Sequence, residues 1–206
     1  MLNRVYSTKF LGVSLDCKLT WKVHIDHVKS KLNKCLSLLF KSSWVLDTCS
    51  LKLLYYSLFF PYVNYCCEVW GNAYKTSLTS IVCLQKRALR IVCKVRKYDH
   101  TAGLFKRHKI LPFSELVKFK IHCNMYKGLH GKLPAALQER ICVLPLEKRR
   151  NRSFKELYCR TSLKSQCFSI YGPKLYNNLP SFVTVSKSDK EFRCNVKTFL
   201  FSGVVS

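Results

Sequence analysis

Apolar residues recur along most of this chain in alternating steps of three and four, the spacing that gathers them on one face of an α-helix. In the first such stretch, residues 20–39, we expect Thr20 to cap the helix. Six positions share its apolar face: Trp21, Ile25, Val28, Leu32, Cys35 and Leu39. The same spacing predicts further helices over residues 51–67, 77–97, 101–110, 112–128 and 134–141, and a last one from Ser188 onward. Only residues 5–15, which alternate loosely and contain Gly12, indicate β structure.

Local signals indicate where some of these helices begin and end. Pro61 would kink or end the buried helix in which it lies, because its ring nitrogen carries no N–H. A single turn or so of helix would be bracketed by Pro173 and Pro180. Ser188 and Glu191 have the spacing of a capping box at the start of the last helix. We therefore predict a mainly α protein in which a short β-hairpin precedes a helical bundle and a smaller helical C-terminal region follows.

The helix expected over residues 77–97 has two faces of different character, with Ser77 as its N-cap. One face is apolar and carries Leu78, Ile81, Leu84, Ala88, Ile91, Val92 and Val95. The other carries only cations, namely Lys86, Arg87, Arg90, Lys94 and Lys97. Such a face can simply be the solvated side of a helix. Because solvated faces normally mix both signs of charge, the uniform sign favours contact with a polyanion.

The charge of the whole chain supports that interpretation. Lys and Arg number 36 against 11 Asp and Glu, which gives a net charge of +25, and the excess is spread along the chain. Nucleic acid is the leading partner for such a chain, and an anionic membrane surface is the second. Residues 144–164 lose their periodicity and would form a flexible basic loop. Its cluster would be a second phosphate contact: Lys148, Arg149, Arg150 and Arg152.

The twelve cysteines bear on the cellular compartment. The first ten residues lack the apolar core of a signal peptide, so we expect free cysteines in a reducing environment rather than disulfide bonds. This places the chain inside the cell, in the nucleus or cytoplasm, and not among secreted proteins. The longest apolar run, residues 51–67, is shorter than the ~20 residues that a membrane-spanning helix needs. We therefore expect no membrane partner.

Residues for catalysis are not gathered in this sequence. Two-metal catalysis needs clustered carboxylates, but the chain has no adjacent Asp pair and no D-x-D. A zinc site is disfavoured because no C-x-x-C occurs. The adjacent His122 and Cys123 would point about 100° apart on a helix, so they could not work as a thiol–imidazole pair. We predict no catalytic residue, no metal ligand and no cofactor within this chain.

Four blocks resemble reverse transcriptases of non-LTR retrotransposons, most closely those of jockey-like LINE elements. They are FLGVSLDCKLTWKVHI (10–25), LYYSLFFPYVNYCCEVWGNAY (54–74), LQKRALRIV (84–92) and YGPKLYNNLP (171–180). They follow the order of that family and cover nearly the whole chain. The resemblance is to the part of the family that lies after the polymerase active site.

The resemblance implies a fragment made of five parts: a palm-end β segment (1–18), a thumb-like helical bundle (19–98), a helical region (99–143), a basic loop (144–165) and C-terminal helices (166–206). Phe10, Leu11 and Gly12 match the family's primer-grip region. The family's Tyr-x-Asp-Asp motif would lie before Met1, and this sequence does not contain it. The divalent metal would then belong to the palm, and the expected partners are an RNA or DNA template–primer and the palm and fingers.

These observations lead us to expect the non-catalytic part of an RNA-directed DNA polymerase, binding template–primer through phosphates. Five phosphate contacts would make log K fall with log salt at a slope of about −4.5. The first alternative is that the chain is a piece of a longer functional polymerase. The second is a decayed or domesticated fragment, which acts as a helical protein-interaction module or has no function.

Overall fold

The computed structural model describes residues 5–145 and 153–203 of the 206-residue chain. The chain is mainly helical and begins with a short antiparallel hairpin, as the sequence predicts. It divides into two compact units, Met1–Ser114 and Glu115–Ser206.

The first unit contains the hairpin and the longest helix. In chain order its elements are β1 Ser7–Phe10, β2 Val13–Asp16, α1 Lys22–Ser42, α2 Thr48–Leu54, a π-helical turn Tyr55–Phe59, α3 Phe60–Asn64, α4 Cys67–Trp70, α5 Lys75–Val92, α6 Ala102–Arg107 and the start of α7 Phe113–Leu129. Large side chains from several of these elements form its core, including Leu32, Leu39, Leu51, Tyr55, Phe59, Trp70, Ile81 and Leu89.

The hairpin confirms the one β signal in the sequence. Strands β1 and β2 pair antiparallel, with Phe10 opposite Val13 at the turn. The two residues between them, Leu11 and Gly12, have positive φ angles of 44° and 81°. Positive φ at both positions is typical of a tight type I′ turn, and it favours glycine at the second one. The Tyr65 hydroxyl donates a hydrogen bond of 2.5 Å to the Leu11 carbonyl oxygen and fixes the turn against the helical part of the unit.

Helix α1 does not use the cap that we expected. Thr20 precedes the helix, but Trp21 occupies the N-cap position with φ of 63° and no side-chain cap. The Asp16 carboxylate instead accepts hydrogen bonds from the backbone N–H groups of Thr20 and Trp21, each at 2.9 Å, and from the Thr20 hydroxyl at 2.8 Å. The prediction of a Thr20 cap is therefore wrong, because an acid at the end of β2 supplies the acceptor that these groups need.

Helix α5 is shorter than we predicted and begins with a different N-cap. Its N-cap is Tyr74 rather than Ser77, and the helix ends at Val92 instead of continuing to Lys97. The buried face also contains a polar residue, Gln85. The Gln85 side-chain nitrogen donates to the Tyr55 hydroxyl at 3.1 Å, and its oxygen accepts from the Phe113 N–H at 2.7 Å. Since these groups are buried, the amide satisfies donors and acceptors that an apolar residue would leave unpaired.

Pro61 does not end its helix. The chain stays helical from Thr48 to Asn64, and the π-helical turn Tyr55–Phe59 immediately precedes α3, in whose first turn Pro61 lies. Proline cannot donate the usual helical hydrogen bond, and the wider π turn changes the hydrogen-bond pattern where that donor is missing. The irregularity is therefore a local change of helix type.

Among its described residues, the second unit contains the rest of α7 and five further helices. These are α8 Ala135–Gln138, α9 Ser162–Ser165, α10 Phe168–Asn177, α11 Ser181–Thr184 and α12 Asp189–Gly203. Val143 and Phe154 also form an isolated antiparallel bridge. The Tyr126 and Phe192 rings stack at 4.2 Å between centroids in the core of this unit.

Two local predictions in this unit have opposite outcomes. The capping box is confirmed, because the Glu191 N–H donates to the Ser188 hydroxyl at 3.2 Å at the start of α12. The single turn expected around Pro173 is wrong, because α10 is a ten-residue helix that contains Pro173. Gly172, its neighbour, allows close packing in this helix: a Cβ there would lie 2.6 Å from the Met125 sulfur.

Candidate nucleic-acid interface

An open groove of about 940 Å³ lies where α1 and α5 end. We call it the cationic groove. Its lining comes from the last turn of α1 and the residue pair after it, from the second half of α5, and from the segment that follows α5. These residues are Phe40, Ser43, Trp44, Cys83, Arg87, Arg90, Ile91, Lys94, Val95, Lys97 and Tyr98. A smaller recess of about 310 Å³ shares Phe40, Arg87 and Ile91 with it and adds Lys41.

The end of α5 determines which cations reach this groove. Lys94 has a left-handed φ of 53°. Its N–H donates to the Ile91 carbonyl at 3.1 Å, and the next N–H, of Val95, donates to the Arg90 carbonyl at 3.1 Å. This pair of bonds is the Schellman motif, which ends a helix and turns the chain away from its axis. Lys94 and Lys97 therefore line the groove from a loop and not from the helix that we predicted.

Four of the five predicted α5 cations meet at the groove: Arg87, Arg90, Lys94 and Lys97. Lys86 is exposed but does not line it. Within residues 5–145 and 153–203, none of the four forms an ion pair with a carboxylate, whereas two such pairs occur in the second unit. Asp99, the acid nearest to these cations in the sequence, forms hydrogen bonds with two neighbouring arginines, and neither bond joins its carboxylate to a cationic side chain. Its carbonyl oxygen accepts from Arg90 Nε at 3.0 Å, and its carboxylate accepts from the Arg96 N–H at 3.0 Å.

Exposed aromatic rings accompany the cations. Trp44 is 79% exposed and Tyr98 is 85% exposed. The Phe40 ring meets the Trp44 ring edge-on, with centroids 6.2 Å apart, and Lys97 Nζ lies 5.5 Å from the centroid of the Tyr98 ring. Cations can hold phosphates while flat rings stack on bases, so this combination suits a nucleic acid.

The other predicted site residues lie elsewhere. Phe10 and Leu11 are exposed at the turn of the hairpin and Gly12 is the second turn residue, and none of them lines the cationic groove. The basic cluster Lys148, Arg149, Arg150 and Arg152 falls outside the described residues. The candidate interface thus rests on the residues around α1 and α5.

Sequence reasoning missed Trp44. A signal was available, because Trp44 lies off the apolar positions that continue from Ile25 to Leu39 and is therefore not required by the core of α1. It follows two serines at the end of the helix, where a tryptophan without a core position is unusual, since tryptophan is highly buried on average.

The described part of the chain offers neither a metal site nor a membrane-spanning helix. No three His, Cys, Asp or Glu side chains there are grouped so that they could hold a metal ion. Among the same residues, no helix combines the length and apolar character needed to cross a membrane.

The chain is similar to a protein of known class. Over 127 residues, 58% of this chain, the sequence is 28% identical to a Drosophila melanogaster protein named "Probable RNA-directed DNA polymerase from transposon X-element". The similarity supports an origin like that of a retrotransposon reverse transcriptase. The chain spans only 13% of that relative's length. No protein-family model matches the chain, and no solved structure matches it.

Proposed function

We propose that this chain is a non-catalytic, nucleic-acid-binding part of a transposon RNA-directed DNA polymerase, and that it holds the template–primer by its phosphates in the cationic groove. The observation that carries the proposal is the set of four cations around one groove, none of them paired with a carboxylate of a described residue. Unpaired cations on one surface attract a polyanion, and each phosphate that they neutralise releases counterions.

In finer detail, the first unit would act as the thumb of a jockey-like LINE reverse transcriptase. Support comes from the resemblance of its sequence blocks and from their order, in which a β-hairpin is followed by a helical unit. Phe10, Leu11 and Gly12 at the hairpin turn would approach the primer end. Metal-dependent chemistry would belong to a palm, because this sequence supplies no clustered carboxylates. The palm and fingers of the same polymerase would be its protein partners.

The number of cations at the groove sets the expected salt dependence of binding. Four phosphate contacts to a duplex would give a slope of log K against log salt of about −3.6, compared with about −4.5 for the five cations counted from the sequence. Raising the salt from about 50 to about 200 mM would then weaken binding by about 150-fold. Contacts of this kind carry little sequence information, so we expect weak base specificity.

The test is a salt titration of binding to a labelled RNA–DNA hybrid duplex, followed by fluorescence anisotropy. The variant Arg87→Glu/Arg90→Glu reverses two groove charges, and Lys29→Glu/Lys34→Glu makes the same charge change on the exposed side of α1. We expect the first variant to lose most of its affinity and about two units of slope, and the control to lose much less. A slope near zero for the wild type, or equal losses in both variants, would reject the proposal.

A further inference from the structure

We propose that the cationic groove accepts an unpaired strand, whose bases stack on Trp44 and Tyr98 while its phosphates contact the surrounding cations. This inference rests on the proposed function and adds the class of ligand. Phosphates have no aromatic face on which a ring could stack, so phosphate binding alone does not explain the exposed rings.

The exposure of the two rings is the first argument. Of the three tryptophans, Trp70 is fully buried and Trp21 is half-buried, whereas Trp44 is 79% exposed. Trp70 also donates its ring N–H to the Tyr65 carbonyl at 3.0 Å, so it serves the core. Trp44 and Tyr98 contribute little to the core, and their rings remain available to a ligand.

The position of the rings is the second argument. Trp44 follows the end of α1 and Tyr98 follows the end of α5, so two separate chain segments bring an exposed ring to one groove. The same groove holds Arg87, Arg90 and Lys94. Cations that follow a backbone together with rings that accept successive bases are the features of single-strand binding surfaces.

The state of the bases decides between a duplex and an unpaired strand. Inside a duplex, each base face is already covered by its neighbours, so a ring on a protein surface can stack only on a terminal pair. In an unpaired strand the faces of the bases are open. Stacking tolerates any sequence, because every base has an aromatic face. Rings beside the cations therefore favour the unpaired strand.

The experiment compares three DNA ligands of equal length: a single strand, a single strand with abasic sites in place of its bases, and a duplex. The abasic strand keeps the phosphates and removes the stacking partners. For the wild-type chain we expect the abasic strand to bind about 5-fold to 150-fold more weakly for each base that stacks. Trp44→Ala should lose the affinity of one stacked base with the intact strand, and should show no loss with the abasic strand and little loss with the duplex.

Matched variants separate stacking from other effects. Trp44→Phe keeps a ring and should restore most of the affinity, while Tyr158→Ala removes an equally exposed tyrosine (91%) that does not line the groove and should change nothing. All of these rings are exposed, so the fold should survive their removal, which circular dichroism would verify. Trp44 fluorescence should also be quenched by the intact strand and not by the abasic one.

The outcomes distinguish the two proposals. If the wild type binds intact and abasic strands equally and the binding still falls with salt, stacking is overturned and phosphate binding stands. If Trp44→Ala weakens duplex binding as much as single-strand binding, preference for the unpaired strand is overturned. If none of the three DNA ligands binds but the RNA–DNA hybrid does, the unpaired-strand proposal is overturned and phosphate binding stands; if the hybrid does not bind either, both proposals fail.

Discussion

Lys94 occupies a left-handed position that glycine normally takes, so glycine can replace it without backbone strain. A second lysine in the same conformation then allows the effect of the charge to be separated from the effect of the conformation. Lys94 is the left-handed residue that ends α5, with φ of 53°. Lys109 has the same role after α6, with φ of 54°. The N–H of Lys109 donates to the Lys106 carbonyl at 3.2 Å, which matches the bond that Lys94 makes in its own motif. Both lysines are exposed, but only Lys94 lines the cationic groove.

The variants Lys94→Gly and Lys109→Gly should therefore change stability alike. Relief of the left-handed conformation is worth about 1–2 kcal/mol. Against this, glycine costs about 0.5–1 kcal/mol in backbone entropy. Loss of a cation near a helix C-terminus costs about 0.3–1 kcal/mol. These terms nearly cancel, so we expect the free energy of unfolding to change by less than about 1 kcal/mol in both variants, as measured by urea denaturation.

Binding should separate the two variants. One phosphate contact contributes about 0.9 to the salt slope, so its loss should weaken duplex binding by about 8-fold at 0.1 M salt relative to a 1 M reference. Lys94→Gly should show this loss and a slope that is shallower by about 0.9, while Lys109→Gly keeps the wild-type slope. The reasoning is refuted if the two variants bind alike, since net charge alone would then explain the affinity.

Three further predictions concern stability, all measured by urea denaturation. Gln85→Leu leaves the buried Phe113 N–H without its acceptor and should cost about 2–3 kcal/mol; a cost below about 0.5 kcal/mol would contradict the role of this amide. Burial lowers the pKa of His122 to about 4 from 6.5, so the unfolded chain takes up the proton first. Stability should accordingly be complete above pH 6.5 and fall by up to about 3 kcal/mol as the pH drops towards 4, and His122→Phe should remove most of that fall. Gly172→Ala should cost about 1–3 kcal/mol, because its Cβ would lie 2.6 Å from the Met125 sulfur, and an unchanged stability would show that this methionine can move aside.

The mainly helical fold could be predicted because its signals are local and repeated. The apolar positions of α1 recur every three or four residues. Five of the six predicted positions are buried, and the sixth, Trp21, is half-buried. The hairpin could be predicted from alternation and from Gly12, which suits a turn with positive φ. Each of these features depends on residues within about one turn or one strand of each other.

Features that depend on distant partners could not be predicted. The sequence pattern assigns no role to Gln85, because its partners Tyr55 and Phe113 lie 30 and 28 residues away in the sequence. Pro173 seemed to limit a helix, although α10 continues through it. In both cases tertiary packing outweighs the local preference of a single residue. The periodicity of the sequence does not reveal such contacts.

The candidate site also contains residues that periodicity identifies and residues that depend on where two helices end. The ends of these helices explain the shape of the site. Amphipathic periodicity finds Arg87 and Arg90, because both lie within α5. On a continuous helix, Lys97 would lie about 15 Å along the axis from Arg87, so the cations would form a stripe. The Schellman motif at Lys94 ends that helix, and the residues after it line the same groove as the residues before it. The end of α1 adds Trp44 in a similar way. Ending the two helices here turns a charged stripe into a concave surface with aromatic rings, and a concave surface can contact several groups of one bound strand at once.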